Sequence, residues 1–164
     1  MLRVKDCMDK HPKVITPDAS LREAIELMLA ERVDGLAVVD EGGRSLGLIT
    51  LGYLLRGFMP ANLSHCPERM LEELEAVNIQ AFFGPTSGLF LVADFFKEDV
   101  EPLSPEDSLM IAAAEMHRQE LLMLPVVEEN KLAGMVSRRD VMQAFFEKSS
   151  FPPSDSPSEK SSEE

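Results

Sequence analysis

The chain contains an internal repeat, and this repeat constrains its fold more than any other feature. The segment that begins at Thr16-Pro17 aligns with the segment that begins at Ser104-Pro105, an offset of 88 residues. After one deletion in a turn the offset becomes 87, and Gly47-Leu48-Ile49-Thr50 aligns with Gly134-Met135-Val136-Ser137. A likeness that keeps one register with a single gap indicates that one structural unit has been duplicated.

Each copy predicts the element order strand, helix, strand, strand, helix. Ser20 and Ser108, each three residues after a proline, are candidate N-caps, and apolar residues then follow at helical spacing. Two short apolar runs around a turn predict a hairpin, 36–39 with 46–50 in the first copy and 124–127 with 132–137 in the second. A unit of about 55 residues buries too little surface alone, so we expect the two copies to pack together.

The repeat divides the chain into four parts. The copies occupy 1–58 and 91–147, and an insert of 59–90 separates them. Within the insert, Pro67–Val77 predicts an amphipathic helix with Met70, Leu71, Leu74 and Val77 on one side, and 81–88 predicts a loop. The insert is either a connector or a lid over a site. Residues 148–164 are rich in serine, proline and acidic residues, and we expect a disordered tail.

The composition excludes several classes of protein. Apolar residues make up 45% of the 164 residues, which is enough to build a core. The formal charge of −13 argues against nucleic-acid binding, and no apolar run is long enough to span a membrane. Two cysteines cannot form a disulfide framework, so we expect a reducing, cytoplasmic setting.

Three segments carry a resemblance to a known family. They are Val100-Glu101-Pro102-Leu103-Ser104-Pro105, Leu124-Pro125-Val126-Val127-Glu128 and Gly134-Met135-Val136-Ser137-Arg138-Arg139-Asp140. Their order and spacing, found twice, resemble a tandem pair of CBS motifs (a Bateman module), named after cystathionine β-synthase. The resemblance implies an α/β (α+β) fold in which two pseudo-symmetric β-α-β-β-α motifs pack through their sheets. It also implies two clefts that bind adenine nucleotides or related adenosyl compounds, and a disc-like homodimer.

The end of the second copy has the residues expected of a nucleotide site: Ser137, Arg138, Arg139 and Asp140. Free N–H groups at a helix N-terminus attract phosphate, and the Ser137 hydroxyl is a further donor there. The Asp140 carboxylate can accept hydrogen bonds from two ribose hydroxyls, and the arginines offset the negative field of the protein. The alternative is an ordinary capping box of Ser137 and Asp140.

The resemblance also places the adenine base. It lies between the segment before the first helix and the first strand of the hairpin, where backbone groups read the edge of the base. We therefore expect contacts from Lys10, His11, Pro12, Lys13 and Val14 of the first copy and from Met123, Leu124 and Pro125 of the second. His11 either contacts the ligand or is a solvated residue in a turn.

The first copy departs from this pattern. Tyr53 stands where the second copy has Asp140, and Leu51 and Gly52 replace the two arginines. A phosphate-rich ligand would lose both its sugar contact and its counter-charge there. We expect one competent cleft around Asp140 and a degenerate second cleft, empty or altered, formed by Thr50, Tyr53, Val100 and Glu101. Tyr53 either stacks on a base or packs into the protein.

These features predict a regulatory or sensor module and not an enzyme. No metal-ligand spacing, phosphate loop or catalytic constellation is present in the sequence. The expected ligand is AMP, ADP, ATP or another adenosyl compound, no cofactor is required, and the signal would pass through a dimer or a separate regulated protein. The alternative is a structural dimerisation module that binds no ligand.

Overall fold

The computed structural model describes residues 1–58, 66–85 and 87–149. Its helices and strands follow the repeat, with a further helix in the insert. They are β1 (Val14–Ile15), α1 (Leu21–Glu31), β2 (Gly35–Val39), β3 (Ser45–Thr50), α2 (Leu51–Phe58), α3 (Glu68–Phe83), α4 (Leu109–Arg118), β4 (Met123–Glu128), β5 (Lys131–Ser137) and α5 (Arg138–Lys148). None of the helices in these ranges is long and apolar enough to cross a membrane.

The two copies form two small sheets. In the first copy β1 pairs parallel with β2, which pairs antiparallel with β3. In the second copy β4 and β5 form the predicted hairpin, and the strand expected before α4 is reduced to a parallel bridge between Leu103 and Val126. Pro102 and Pro105 flank this bridge and have no N–H to donate, which keeps the strand short. The predicted mixed α/β fold of two β-α-β-β-α motifs is confirmed.

The predicted N-caps begin the first helix of each copy. Ser20 and Glu23 form a capping box, in which the Glu23 N–H donates to Ser20 Oγ (3.2 Å) and the Ser20 N–H donates to the Glu23 carboxylate (2.8 Å). Hydrogen bonds from the Ser20 backbone and side chain hold the pKa of Glu23 below its usual value. Ser108 Oγ accepts from the Ile111 N–H (3.3 Å), but an isoleucine cannot complete a box.

Removing the Ser20 cap should lower stability. Ser20→Ala leaves the first N–H groups of α1 without this acceptor, so we expect the free energy of unfolding to fall by about 1 kcal/mol. Urea denaturation measures the difference, and Ser20→Asp, which keeps an acceptor, is the matched control. An alanine variant as stable as the wild type would show that the cap contributes nothing.

The segment that precedes the first helix of each copy packs on the other copy. We call these the entry segments, 4–9 in the first copy and 92–97 in the second. Val4 is fully buried in the core of the second copy, and Val92 is fully buried in the core of the first. The N–H and C=O of Asp9 pair with Met135 of β5 (2.8 and 3.0 Å), and those of Lys97 pair with Leu48 of β3 (2.9 and 3.0 Å). The two bridges occupy equivalent positions in the repeat, so the exchange is pseudo-symmetric.

Both faces of the first sheet are covered. Leu36 and Val38 of β2 point into a core with Met28 of α1 and the exchanged Val92. The alternating residues Ala37 and Val39 belong with Leu48 to the core of the second copy. The two copies therefore share buried side chains along the sheet and form one module.

The insert helix differs from its prediction. Residues 81–83 continue α3, so the loop predicted for 81–88 is wrong at these three residues. Gly84 ends the helix and precedes Pro85, which disfavours helical backbone at the residue before it. A short 3-10 turn, Ser87–Leu89, follows. The Val77 side chain and residues 150–164 of the predicted tail lie outside what the structure describes, and α5 extends through Lys148.

Candidate functional site

Asp140 lies in the first turn of α5 and takes part in its cap. Its Oδ2 accepts hydrogen bonds from the N–H and from the Oγ of Ser137, both at 2.7 Å, and its own N–H donates to Ser137 Oγ at 3.3 Å. The capping box is therefore formed. Within the described residues, Asp140 Oδ1 has no hydrogen bond. One carboxylate oxygen is thus available to a ligand while the other holds the helix start.

The exchanged entry segment brings Cys7 to Asp140. Burial raises the pKa of the Cys7 thiol above its usual value, and the negative charges of Asp140 and Asp6 raise it further. The thiol is half-buried and belongs with the core residues of the second copy. Sequence reasoning missed this neighbour, because the repeat alignment assigns Cys7 to the first copy.

The reactivity of Cys7 tests this proximity. Asp140→Asn removes one of the charges that raise the pKa of the thiol, so a larger fraction is thiolate at pH 8 and alkylation by iodoacetamide should be faster. Peptide mass spectrometry gives the rate at Cys7. Glu129→Gln, on the exposed hairpin turn, is the matched control and should leave that rate unchanged. An equal rate in Asp140→Asn would contradict the arrangement.

The segment predicted to contact the base connects the two copies. It begins after Asp9, which pairs with Met135 of β5, and ends at Val14, which pairs with Ala37 of β2. The His11 N–H donates to Asp9 Oδ1 (2.9 Å), which fixes the turn. Lys10 and His11 are exposed, and Pro12 is half-buried. Lys13 Nζ forms an ion pair with Glu31 at 3.6 Å, so this cation is already paired at the end of α1.

Of the three second-copy residues predicted at the base, Met123 is the most accessible. It pairs with Ser137 across the hairpin and is half-buried. Leu124 is fully buried in the core. Pro125 is also buried, and its carbonyl accepts a hydrogen bond from the Leu103 N–H at 2.9 Å. The structure therefore places Met123 opposite Ser137 in the hairpin, whereas Leu124 and Pro125 are buried and stabilise the sheet.

Arg138 and Arg139 lie at the outer surface. Both are exposed, and within the described residues neither forms an ion pair. Together with Met142 and Phe146 they line a shallow depression of about 560 Å³ on α5. The structure thus brings Ser137 and Asp140 into direct contact. The two arginines lie instead on the outer surface of α5, beside Met142 and Phe146.

Two of the four residues predicted for a second cleft, Thr50 and Tyr53, lie at the start of α2, where Tyr53 lines a cavity. Thr50 Oγ1 accepts a hydrogen bond from the Tyr53 N–H at 3.0 Å, as Ser137 Oγ does from Asp140 in α5. The reciprocal bond to a carboxylate is absent among the described residues, because Tyr53 stands at the position of Asp140. Tyr53 is 38% exposed and lines a cavity of about 450 Å³. Two cations border it, Arg56 and Lys97. Arg56 pairs with Glu120 (3.5 Å) and Lys97 with Asp99 (3.0 Å), so both are neutralised by acids.

The other two residues predicted for this cleft border a neighbouring cavity of about 310 Å³. They are Val100 and Glu101. The Glu101 N–H donates to Gln119 Oε1 (3.0 Å), and Gln119 Nε2 donates to the Glu101 carbonyl (3.1 Å). The Glu101 carboxylate pairs with Arg118 at 2.6 Å. The polar groups of this segment are therefore already used within the protein.

The duplicated α/β unit with exchanged entry segments defines a tandem-repeat module. The protein-family model described as CBS domain matches residues 4–59 and 92–147. The chain therefore belongs to the CBS domain family and carries a tandem pair.

Curated relatives match most of this chain. The CBS domain-containing protein CBSX1 of Arabidopsis thaliana is 26% identical over 140 residues, 82% of this chain and 59% of its own. The uncharacterized protein MJ1426 of Methanocaldococcus jannaschii is 26% identical over 156 residues, 89% and 92% of the two chains. The glycine betaine/carnitine/choline transport ATP-binding protein OpuCA of Bacillus subtilis is 24% identical over 146 residues. The chain spans between 31% and 59% of the first three curated relatives.

Solved structures share the fold. CBSX2 of Arabidopsis thaliana, solved in complex with AMP, has a TM-score of 0.66 and 23% identity, covering 90% of this chain and 98% of its own. The CBS domain pair of protein MJ0100 was solved with 5′-methylthioadenosine and S-adenosyl-L-methionine. It has a TM-score of 0.64 and 19% identity, with the same coverage.

Proposed function

We propose that this chain is a regulatory module that binds one adenine nucleotide, or a related adenosyl compound, in the cleft around Asp140. The observation that carries the proposal is the carboxylate oxygen Oδ1, which has no hydrogen bond within the described residues while Oδ2 caps α5. The adenosyl ligands of the CBSX2 and MJ0100 structures support the ligand class. The chain itself would catalyse no reaction.

The start of α5 has a donor left for a phosphate. The Arg138 N–H donates to the Leu122 carbonyl at 2.9 Å, and the Asp140 N–H donates to Ser137 Oγ. The Arg139 N–H takes part in neither bond and has no acceptor within the described residues. It lies in the first turn of α5, at the positive end of the helix dipole. In this account Asp140 Oδ1 accepts from a ribose hydroxyl, and the Arg139 N–H meets the phosphate.

The ligand would lie where the copies exchange segments. Residues 10–14 follow Asp9, which pairs with β5 of the second copy, and end at Val14, which pairs with β2 of the first. A base bound against this segment would therefore lie between the two copies. A ligand that binds one arrangement of the copies more tightly than another shifts their equilibrium. We propose that this shift changes a homodimer interface or the surface that a separate regulated protein binds.

The ligand itself is the first test. Small molecules released by denaturing the purified protein should include an adenine nucleotide by mass spectrometry. Thermal-shift titration with AMP, ADP, ATP, NAD, S-adenosylmethionine and cyclic di-AMP should raise the melting temperature with at least one of them. A chain that releases none and responds to none does not have the proposed function.

A second candidate is a structural dimerisation module without a ligand. The observation that favours it is the first copy, where Tyr53 replaces the carboxylate and both cations beside it are paired. This alternative predicts a stable dimer whose melting temperature is indifferent to all six compounds.

A further inference from the structure

The last helix of the first copy is built from poorer helix-forming residues than its counterpart in the second. Helix α2 has 8 residues, and two of them are Gly52 and Gly57, whereas the 11 residues of α5 include no glycine. A Cβ at either glycine would meet no atom within 4 Å, so packing does not require glycine at these positions. Each glycine lowers the equilibrium constant for helix formation about fivefold relative to alanine.

The start of α2 is also less firmly capped than the start of α5. Thr50 Oγ1 accepts the Tyr53 N–H, but Tyr53 has no carboxylate that could accept a hydrogen bond in return. At the equivalent positions of the second copy, Ser137 and Asp140 form both bonds of a capping box. Helix α2 therefore begins with less stabilisation from side chains than α5 does.

Little of α2 is buried against the rest of the chain. Among its described side chains only Leu54 is buried, and Leu55 is 56% exposed. Leu54 and Gly57 line the cavity of about 450 Å³ that Gln119 and Glu120 of the second copy also line. The main packing of α2 within the described residues is on β3, whereas α5 packs on both β5 and α4. A short helix with few buried apolar contacts opens locally at low cost.

An ion pair joins α2 to the turn that precedes β4. Arg56 Nη1 lies 3.5 Å from Glu120 Oε2, and Glu120 follows α4 with a left-handed backbone (φ 55°). Two residues later, the Leu122 carbonyl accepts the N–H of Arg138 at 2.9 Å, at the first residue of α5. Asp140 lies two residues further along the same helix. This series of contacts therefore connects α2 with the candidate ligand site.

The ion pair between Arg56 and Glu120 is a weak link. Both side chains are exposed, at 60% and 79%, and an exposed pair of this kind changes an equilibrium by a few-fold at most. A contribution of that size has little effect on a firmly folded helix. It matters in a helix that already opens readily, because a small bias then changes how often the open state forms.

We propose that α2 opens locally while the rest of the module stays folded, and that a nucleotide bound at Asp140 favours the closed, helical state of α2. The two sites are linked through the Arg138–Leu122 hydrogen bond and the Glu120–Arg56 ion pair. The second half of this proposal rests on the proposed function and places its conformational shift in the first copy. The first half concerns the chain without ligand and stands independently.

Hydrogen exchange of the full chain without ligand, followed by peptide mass spectrometry, tests the opening of α2. The protection factors of α2 should be at least about tenfold lower than those of α5. Gly52→Ala and Gly57→Ala should each raise the protection of α2 about fivefold and leave that of α5 unchanged. Gly88→Ala is the matched control, since a Cβ there also meets no atom within 4 Å, and it should leave α2 unchanged.

The same measurement with ligand tests the coupling. The probes are the six adenosyl compounds of the thermal-shift titration, each at a saturating concentration. A compound that raises the melting temperature should slow exchange in α2 about two- to fivefold, and this slowing should be lost in Glu120→Gln. Arg69→Gln, which breaks the exposed ion pair with Glu73 on α3, is the matched control and should keep the full slowing.

Three results would overturn the proposal. Equal protection of α2 and α5 without ligand would show that α2 does not open by itself. A compound that raises the melting temperature and leaves α2 exchange unchanged would refute the coupling, with the ligand site intact. Slowing that persists in Glu120→Gln would refute the route through the ion pair. If no compound raises the melting temperature, the proposed function fails together with the coupling, and the comparison of α2 with α5 still decides the first half. Circular dichroism confirms that each variant is folded.

Discussion

Asp140→Ala is expected to weaken binding of an adenine nucleotide by about 10- to 100-fold. The variant removes a charged acceptor of ribose hydroxyls, and a hydrogen bond to a charged group contributes about 1.5–3 kcal/mol. Isothermal titration calorimetry with the ligand identified by mass spectrometry measures the change. Tyr53→Ala, at the equivalent position of the first copy, is the matched control and should bind as the wild type does.

Because Asp140 also belongs to the capping box of α5, its loss affects stability as well as ligand affinity, and the two effects can be measured separately. Asp140→Ala also removes the acceptor for the Ser137 N–H, so we expect a stability loss of about 1 kcal/mol in addition. Titration well below the melting temperature keeps the variant folded, and the affinity then reports the ligand contact. Unchanged affinity in Asp140→Ala would exclude this carboxylate from the site, whatever its effect on stability.

The second large effect is expected at the glycines beneath the exchanged segments. A Cβ on Gly134 would lie 2.5 Å from the Asp9 carbonyl oxygen, and one on Gly47 would meet the Lys97 carbonyl oxygen even more closely. Gly134→Ala should therefore displace the bridge between Asp9 and Met135 and lower the free energy of unfolding by about 2–3 kcal/mol. Gly47→Ala should act in the same way at the equivalent bridge.

Urea denaturation measures both variants. Gly52→Ala is the matched control, since a Cβ there meets no neighbour within 4 Å and alanine favours the helix. We expect the control to be at least as stable as the wild type. A Gly134→Ala variant with wild-type stability would mean that the segment around Asp9 moves aside at no cost, and that its docking on β5 contributes little.

The local elements could be predicted because their signals lie close together in the sequence. Ser20 and Ser108 begin helices, and the two apolar runs of each copy pair as hairpins. The end of α3 was misplaced because residues 81–83 are compatible with helix, and the stop comes only at Gly84 before Pro85. Phe82 and Phe83 carry no stop signal of their own in the sequence.

The exchange between the copies could not be predicted from the pattern. An apolar residue such as Val4 or Val92 signals burial, but the same signal arises whichever copy buries it. The spacing of Ser137 and Asp140 likewise fits both a capping box and a ligand site. The structure forms the cap with one oxygen and leaves the other without a hydrogen bond among the described residues, a distinction that spacing alone does not contain.

The number of nucleotides bound per chain tests the central claim most directly. Calorimetric titration of the identified ligand into the purified chain, freed of bound nucleotide, gives that number. The account predicts one ligand per chain, bound about 10- to 100-fold more weakly by Asp140→Ala and with wild-type affinity by Tyr53→Ala. Two equivalent ligands per chain, or one ligand that Tyr53→Ala abolishes and Asp140→Ala retains, would contradict it.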